Sequence, residues 1–529
     1  MTKSLFLITL LVFLVGVFFR LYKLTDFPPG LIQDEVVAAY DAFALLETGR
    51  DHHGVLWPLT FSSFNDWVSP FFIYYLTPFI KVFGLNAFAV RFSVSLLSII
   101  SLVLFYFVAK EFFKEKSKAF FAFALFSFSS FAIMTARWAI PTHTIILPFL
   151  VFLFFLGKAM NTAQHQMTNL LWAQIFLGIS IYTDTAMKVF GPLIHLTSLF
   201  TIKHLVNKKW LFFLFLTFSI VSAPTLFDHL FNLQERNNRF NMISVFSLSD
   251  FWMFTFLQNY FSYLSPVTLF VSGDVNPVRT IPNLGYEHLF YSLFFYSGLF
   301  LLIYKLIKKK INLHEKFLLL YFLVSPLPTS LTLPAADFQR ALYILPVLIL
   351  ISSEGLFFLW QRLSMFLTKK FFVPLRLAQI EIIIFLSIIL LLNFSFFTMN
   401  YFSQKYQNIN KYYFQYGLDK VFYYLLKNEQ QYEQIYISNV INMPYIYYLY
   451  YSQYDPRKLR YADYEKNDDQ GWTNVEKIGK YHFVSIDNSS FVNAKLIYEA
   501  QNSPLAKYQI WEKDKIIYVT LYSSPEAQP

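Results

Sequence analysis

Residues 88–118 read FAVRFSVSLLSIISLVLFYFVAKEFFKEKSK, a long and mostly apolar run followed at once by a lysine-rich connection. An apolar run of this length is typical of a helix that crosses a bilayer, which needs about 20 residues. Lys and Arg are enriched in the loops on the cytoplasmic side of a membrane. The stretch therefore predicts a membrane helix over 88–109 whose C-terminal end lies in the cytoplasm.

The composition of the 529-residue chain excludes an ordinary soluble protein. Hydrophobic residues make up 56% of it and charged residues only 14%, whereas soluble domains carry about 25% charged residues. The formal net charge of +10 fits an excess of Lys and Arg in cytoplasmic loops, so no nucleic-acid partner is expected. The chain has no cysteine, which excludes disulfides, cysteine zinc sites, iron–sulfur clusters and thiol catalysis.

Similar apolar segments recur along the chain and predict a mainly α fold, a polytopic bundle of about 11 membrane helices. The apolar segment 70–84 is shorter and contains Pro78 and Lys81, so we expect it to lie along the membrane interface. The predicted membrane helices lie near 4–22, 88–109, 119–135, 141–157, 169–183, 187–202, 210–224, 288–307, 317–333, 341–360 and 377–399.

Basic residues alternate between the connections and give the predicted orientation. With the N-terminus inside and 4–22 interpreted as an uncleaved signal anchor, every second connection is basic, as at Lys203 and Lys308. We therefore expect a multi-pass protein of the inner (plasma) membrane with an extracytoplasmic active site. The predicted outer connections are 23–87 (the first outer loop), 136–140, 184–186, 225–287 (the long outer loop), 334–340 and the tail from 400.

The tail differs from the rest of the chain because it is polar and rich in tyrosine. Alternating or β-branched runs at 434–438, 481–486 and 516–520 predict strands, and 411–427 is helical in pattern. We predict a membrane domain over 1–399 and a small extracytoplasmic α/β domain over 400–529.

A pair of carboxylates, Asp34 and Glu35, follows Pro28-Pro-Gly30 in the first outer loop. One interpretation is a helix start, where acidic residues are favoured by the helix dipole. The other is a general base that accepts a proton from an acceptor hydroxyl. The residues alone leave both interpretations open.

Basic residues of the outer connections are candidates for binding a lipid phosphate, because the planar arginine fork pairs with phosphate oxygens. The same arginines could instead be interfacial residues whose charged ends reach water. His52-His53 in the first outer loop is interpreted as polar surface, so no metal site is predicted there. The candidates are Arg137, Lys188, Arg279 and Arg340, with Asp66, His143, Asp184, Asp274, Asn276 and Asp337 as further site candidates.

Several short motifs, in order over roughly residues 1–360, resemble one class of membrane enzyme. They include Phe27-Pro-Pro-Gly-Leu-Ile-Gln-Asp-Glu35, Pro70-Phe-Phe-Ile-Tyr-Tyr-Leu76, Ala89-Val-Arg-Phe92, Ala136-Arg-Trp-Ala139 and Gly273-Asp-Val-Asn-Pro277. The chain resembles bacterial GT-C class glycosyltransferases of the family 39 and 83 type. These are the enzymes related to protein O-mannosyltransferases and lipid A aminoarabinose transferases.

The resemblance implies transfer of a sugar, with a hexose such as mannose as the default, from a polyprenyl-phosphate carrier to an acceptor glycan, lipid or protein. It implies Asp34 as the base, with Glu35 in support, and Arg340 on the carrier phosphate with Arg137 and Lys188. Many relatives have an acidic residue before the Pro70 position, where this chain has Ser69 and, three residues earlier, Asp66. No cofactor is implied with certainty, and a divalent metal ion stays open.

Two other functions compete with glycosyl transfer. A transporter or lipid flippase would carry ionisable residues in mid-membrane and often inverted repeats, and the sequence has few such charges and no repeat. An assembly scaffold would bind glycan through the tail without catalysis. Titration of the protein with a lipid-linked sugar, followed by analysis of the products, distinguishes glycosyl transfer, transport and scaffolding.

Overall fold

A computed structural model of the chain describes residues 3–64, 66–232, 238–274, 276–335, 337–459, 465–467, 473–487 and 492–523. The predicted mainly helical class is confirmed. The helices are α1 (Lys3–Leu21), α2 (Gln33–Thr48), α3 (Phe71–Phe83), α4 (Ala87–Phe112), α5 (Lys116–Phe128), α6 (Ser130–Thr135), α7 (Ile146–Asn161), α8 (Gln166–Ser180), α9 (Met187–Ile202), α10 (Lys208–Phe231), α11 (Asn238–Ile243), α12 (Trp252–Leu264), α13 (Tyr291–Ile307), α14 (Leu313–Val324), α15 (Leu345–Phe371), α16 (Leu375–Tyr401), α17 (Gln404–Tyr413), α18 (Leu418–Asn428) and α19 (Pro444–Ser452).

The chain divides into two compact units. The first, called the helical unit here, comprises Met1–Tyr22, Val94–Ala136 and Pro141–Tyr401. The second, called the mixed unit, comprises Lys23–Ser93, Arg137–Ile140 and Phe402–Pro529. The mixed unit thus takes in most of the first outer loop as well as the tail, whereas the predicted boundary at 399/400 leaves that loop with the helices. The division into 1–399 and 400–529 stays a prediction.

Each predicted membrane segment contains helix, and the chain has the apolar helices of an integral membrane protein. Among the described residues, five helical stretches are long and apolar enough to cross a bilayer by length and composition. Shorter apolar helices at Phe6–Leu21, Phe71–Phe83, Met187–Ile202 and Tyr291–Ile307 accompany them, and the count of eleven crossings stays a prediction. The five stretches are Ala87–Phe112, Pro141–Asn161, Lys208–Phe231, Leu342–Phe371 and Leu375–Tyr401.

Helices α13 and α15 pack most closely through two glycines. A Cβ added at Gly298 would lie 2.0 Å from the Ile351 carbonyl oxygen, and one at Gly355 would lie 1.8 Å from the Phe294 carbonyl oxygen. In a membrane the hydrophobic effect does not drive helices together, because lipid tails are also apolar. Small residues instead allow close van der Waals packing of the helix backbones. This crossing holds α15, whose first half is buried from Leu345 to Leu356, in the core of the helical unit.

Several predicted segments are interrupted in the structure. The segment 119–135 divides into α5 and α6 at Ser129, whose hydroxyl caps α6 by accepting a hydrogen bond from the Ala132 N–H at 3.0 Å. The segment 317–333 leaves the α-helix at Val324, because Pro326 and Pro328 follow and proline cannot donate a helical hydrogen bond. The connections between helices are therefore longer than predicted.

The described residues of the mixed unit contain a hairpin, a second two-stranded antiparallel sheet and a six-stranded sheet. The hairpin pairs β1 (Phe61–Ser63) with β2 (Asp66–Val68), and the sheet has the order β6-β7-β3-β10-β9-β8. Strands β3 and β7 run parallel, as do β3 and β10, while the β8–β9–β10 pairs are antiparallel. The strands after the hairpin are β3 (Gln434–Ser438), β4 (Glu465–Asn467), β5 (Thr473–Val475), β6 (Lys477–Ile478), β7 (Tyr481–Val484), β8 (Lys495–Ser503), β9 (Ala506–Lys513) and β10 (Ile516–Ser523).

The three predicted strands of the tail are confirmed as β3, β7 and β10, with β7 ending two residues earlier than predicted. The single helix predicted over 411–427 is wrong, because α17 and α18 are separated there. Gly417 adopts φ 88°, and a Cβ at this position would lie 2.5 Å from the Gln501 carbonyl oxygen. The chain therefore turns at a glycine that has no side chain to clash with β8.

Candidate active site

The first turn of α2 carries the predicted carboxylate pair. Helix α2 begins at Gln33, so the helix start that the sequence predicts is confirmed. The two adjacent carboxylates lie in different surroundings. Asp34 is half-buried, whereas the Glu35 side chain has no exposed surface.

Glu35 is held by four donors. Its carboxylate oxygens accept hydrogen bonds from Nε and Nη2 of Arg91, each at 3.0 Å, in a bidentate ion pair. The backbone N–H groups of Ile32 and Ala139 donate to the same carboxylate at 3.3 and 3.1 Å. These four hydrogen bonds fix the Glu35 side chain and, with it, the start of α2.

Arg91 also fixes the loop that leads to Asp34. Its guanidinium donates to the carbonyl oxygens of Pro28 at 2.5 Å and Gly30 at 2.6 Å. Gly30 has φ 78°, and a Cβ there would lie 2.1 Å from the carbonyl oxygen of Phe414. The Pro-Pro-Gly segment is therefore shaped by close backbone contacts. The sequence quoted Arg91 only as part of a motif, since nothing local marks its partner 56 residues earlier.

Arg137, predicted to bind the donor phosphate, is fully buried in the mixed unit. Its Nη2 donates to the carbonyl oxygens of Lys23 at 3.2 Å and Phe27 at 2.9 Å, and its guanidinium lies 5.4 Å from the centre of the Phe402 ring. These contacts tie 137–140 to the first outer loop. They give Arg137 a structural role, and we do not propose that it binds the donor phosphate.

Asp66 lies in the β1–β2 hairpin and is half-buried. Its Oδ1 accepts a hydrogen bond from the Trp67 N–H at 2.8 Å. A second acidic side chain of the loop, Asp41, lies on α2 and contacts His52 with 2.5 Å between Oδ1 and Nδ1. His52, predicted to be polar surface, is buried instead, because Asp41 Oδ1 pairs with both its Nδ1 and its backbone N–H inside the loop.

In the helical unit, two of the predicted outer connections meet in an ion-pair network. Oδ2 of Asp337 lies 2.6 Å from Nη1 of Arg279 and 3.1 Å from Nε of Arg340. The same Nη1 of Arg279 lies 3.5 Å from Oδ2 of Asp274, which also accepts a hydrogen bond from the Tyr286 hydroxyl at 2.9 Å. The long outer loop and the α14–α15 connection are thus joined by charge.

Asp184 and Lys188, from the α8–α9 connection and the start of α9, belong to the same network. Burial raises the pKa of Asp184 to about 6, and the charges of Arg340 and Lys188 partly offset this rise. Asp337 raises the same pKa, so these groups act on one another. We call the six residues Asp184, Lys188, Asp274, Arg279, Asp337 and Arg340 the charge cluster.

The charge cluster retains groups that could bind an anion. Arg340 is about a quarter exposed and uses Nε on Asp337 and Nη1 on Thr332 and Leu333. In the described part of the chain, its Nη2 makes no hydrogen bond. A guanidinium offers five N–H donors in a planar fork, so Arg340 can take a phosphate oxygen without breaking its pair with Asp337.

The remaining predicted residues have local roles. Asn276 shapes the long outer loop: its N–H donates to Asp274 at 2.8 Å, and its Oδ1 accepts from the Val278 N–H at 3.0 Å. His143 is buried in a 3-10 turn over Pro141–Thr144 and lines a small cavity with Thr135. The structure thus joins six of the predicted residues in one cluster and leaves these two outside it.

Among the described ranges, no group of three or more His, Asp or Glu side chains is arranged to hold a metal ion.

The sequence analysis missed two tyrosines of the helical unit that contact the charge cluster. The Tyr286 hydroxyl accepts a hydrogen bond from the Phe338 N–H at 3.2 Å, and the Tyr263 hydroxyl donates to the Asp337 carbonyl oxygen at 3.2 Å. In a chain this rich in tyrosine, no local signal could have distinguished them.

Comparison with known proteins adds a partial match to one family model and a shared fold. The family model for dolichyl-phosphate-mannose-protein mannosyltransferase matches residues 68–227. A search of curated proteins gives no match. The crystal structure of ArnT from Cupriavidus metallidurans bound to undecaprenyl phosphate is 11% identical with a TM-score of 0.51, over 86% of each chain.

The archaeal oligosaccharyltransferase AglB from Archaeoglobus fulgidus, in complex with an inhibitory peptide and a dolichol-phosphate, is also similar. It is 11% identical with a TM-score of 0.53, over 85% of this chain and 64% of AglB. The chain therefore spans less than two thirds of AglB. The family model over residues 68–227 and the shared fold confirm the predicted resemblance to membrane glycosyltransferases of the GT-C class, of the family 39 type.

Proposed function

We propose that the chain transfers a sugar, a hexose such as mannose, from a polyprenyl-phosphate carrier to an acceptor hydroxyl on the extracytoplasmic side of the inner membrane. Asp34 is the general base in this proposal. The observation that carries it is the contrast at the start of α2, where Glu35 is locked into its pair with Arg91 and Asp34 keeps exposed surface. A proton acceptor needs access to the proton that it takes.

Glu35 acts as a positioning residue in this proposal. Protonation of its carboxylate would break the ion pair with Arg91, which has no exposed side-chain surface. Leaving one partner of such a pair uncompensated is costly. Glu35 therefore orients the first turn of α2, and with it Asp34, without taking part in the proton transfer.

The donor phosphate is proposed to bind at the charge cluster through Arg340, Arg279 and Lys188. The solved relatives support a lipid phosphate as the ligand, since ArnT holds undecaprenyl phosphate and AglB holds a dolichol-phosphate. Arginine and lysine bind phosphate by charge-assisted hydrogen bonds. The carboxylates of Asp274 and Asp337 hold the two arginines in orientation.

The proposed reaction is a direct displacement. Asp34 takes the proton of the acceptor hydroxyl as its oxygen forms a bond with the anomeric carbon. The bond between that carbon and the phosphate oxygen breaks, and its electron pair leaves with the lipid phosphate. Cations of the charge cluster stabilise the charge that grows on this leaving group. A single displacement inverts the anomeric carbon.

The test uses the purified full chain in lipid nanodiscs with a polyprenyl-phosphate sugar and a panel of acceptors. We expect a new glycosidic bond of inverted configuration together with release of polyprenyl phosphate, read by mass spectrometry and NMR. The competing function is a flippase for lipid-linked glycan. Translocation of the donor across proteoliposomes without a new glycosidic bond would favour the flippase and contradict the proposal.

The raised pKa of Asp184 predicts a pH dependence of donor binding. The carboxyl is ionised above its pKa of about 6, where it competes with phosphate for Lys188 and Arg340, and neutral below it. A sugar phosphodiester keeps its charge throughout this range. We therefore expect the donor to bind about threefold to tenfold more tightly at about pH 5.5 than at about pH 7.5.

Calorimetric titration of the sugar phosphodiester donor at both pH values checks this expectation. The matched variant is Asp184→Asn, which is neutral at every pH. It should bind tightly at both pH values and lose most of the pH dependence. An unchanged pH dependence in Asp184→Asn would exclude Asp184 as its source.

A further inference from the structure

A groove on the mixed unit lies apart from every residue used above. It has a volume of about 1100 Å³ and is formed by α18, α19 and β8. Small-molecule sites typically have volumes of about 300–1,000 Å³. The groove is therefore large enough for a ligand of several sugar rings. We call it the tyrosine groove.

Four tyrosines line the tyrosine groove: Tyr423, Tyr424, Tyr451 and Tyr498. The rings of Tyr424 and Tyr498 stack with their centres 4.6 Å apart and an interplanar angle of 18°. Tyr423, which precedes Tyr424 in α18 and also lines the groove, is 71% exposed. Exposure of a large aromatic side chain to this degree, beside a stacked pair, indicates a surface that packs against a ligand.

The other lining residues are mostly polar. Asp419, Lys420, Lys427 and Asn428 contribute hydrogen-bonding groups, and Leu426 is the one aliphatic side chain among the described lining residues. An acyl chain or the apolar face of a helix would need an aliphatic surface, which this groove lacks. The combination of flat rings and polar groups is what a sugar requires, because a sugar ring has an apolar C–H face and a rim of hydroxyls.

We propose that the tyrosine groove binds a saccharide chain that carries acidic groups. The rings of Tyr423 and Tyr424 pack against sugar faces, while Lys420 and Lys427 pair with carboxylates of the chain. The lining cations outnumber the one carboxylate, Asp419, which favours an acidic saccharide over a neutral one. If this saccharide is the acceptor, that assignment rests on the proposed function, but the binding itself does not.

The experiment measures saccharide binding to the full chain in nanodiscs, without any donor. The probes are an oligogalacturonate tetramer, as the acidic saccharide, and maltotetraose, as the neutral one. We expect the acidic probe to bind more tightly in low salt. Tyr423→Ala should weaken its binding by roughly threefold to tenfold, because a ring that packs against the sugar is lost.

Two further variants make the result specific. Lys427→Gln should weaken the binding of the acidic probe and leave the binding of the neutral probe unchanged. Tyr522→Ala removes a tyrosine of the same unit that is 56% exposed and lies outside the groove, so its binding should equal that of the unmodified chain. Equal binding of both probes, no binding of either, or an unaffected Tyr423→Ala variant would overturn the proposal.

Failure of this inference is separable from failure of the proposed function. Asp34→Asn should bind the oligogalacturonate as the unmodified chain does, since no donor is present and Asp34 does not line the groove. If sugar transfer depends on Asp34 but the oligogalacturonate does not bind, the saccharide-binding role of the tyrosine groove is rejected and the proposed glycosyl transfer stands. If the oligogalacturonate binds but no sugar is transferred, the saccharide-binding proposal stands and the proposed glycosyl transfer is rejected.

Discussion

Replacing Asp34 by asparagine is expected to lower the turnover of sugar transfer by about a thousandfold, the range in which loss of a general base usually falls. Asparagine has nearly the same shape, but it cannot accept the proton of the acceptor hydroxyl. Asp34 is half-buried at the start of α2, and asparagine fills the same space there. We therefore expect normal expression, a normal melting temperature and unchanged donor affinity.

The matched control is Asp26→Asn, an exposed aspartate of the same loop. It removes one carboxylate from the first outer loop and should keep nearly full turnover. The measurement is the initial rate of glycoside formation from a polyprenyl-phosphate sugar, with donor affinity measured separately by calorimetry. Turnover of Asp34→Asn within a few fold of the unmodified chain would remove Asp34 from the role of base.

Replacing Glu35 by glutamine is expected to have the largest effect on stability. The change leaves the guanidinium of Arg91 buried without its counter-charge, and both side chains are fully buried. Breaking a buried ion pair from one side costs about 3–5 kcal/mol. We expect a large fall in the melting temperature of the detergent-solubilised chain, because the loop over 28–30 also depends on Arg91.

Helix α2 offers its own control for this prediction. Glu47, near the other end of the helix, pairs with Arg457 at 3.1 Å, but the side chains are 41% and 60% exposed. An exposed pair contributes about 0.2–1 kcal/mol, so Glu47→Gln should melt almost as the unmodified chain does. Equal melting temperatures for Glu35→Gln and Glu47→Gln would show that burial does not distinguish the two pairs.

Turnover in Glu35→Gln distinguishes a positioning role from a merely structural one. At a temperature where the variant is fully folded, a positioning role predicts a lower kcat with little change in the KM for the donor, since the charge cluster is untouched. A purely structural role predicts normal kcat for the folded fraction. The comparison therefore needs the folded fraction to be measured at the assay temperature.

The sequence by itself indicated the mainly helical fold and named all six members of the charge cluster. An apolar run as long as 88–109 forms a helix in lipid, because a helix gives every backbone N–H and C=O group a hydrogen-bond partner within the segment. Charged side chains are costly in the hydrocarbon core, so such runs contain few of them and most lie in the connections. Charged residues of the predicted outer connections could therefore be chosen as candidates before their neighbours were known, as with Asp184, Asp274 and Arg340.

Only the tertiary structure decided what each candidate does. Asp34 and Glu35 are neighbours in sequence, but successive residues of a helix point in different directions, so one meets Arg91 in the interior and the other keeps exposed surface. Arg137 and Arg340 likewise share their chemistry, yet one is buried against backbone carbonyls and the other pairs with Asp337 near the surface. Burial and ion pairing depend on residues far apart in the chain, and local sequence patterns do not contain that information.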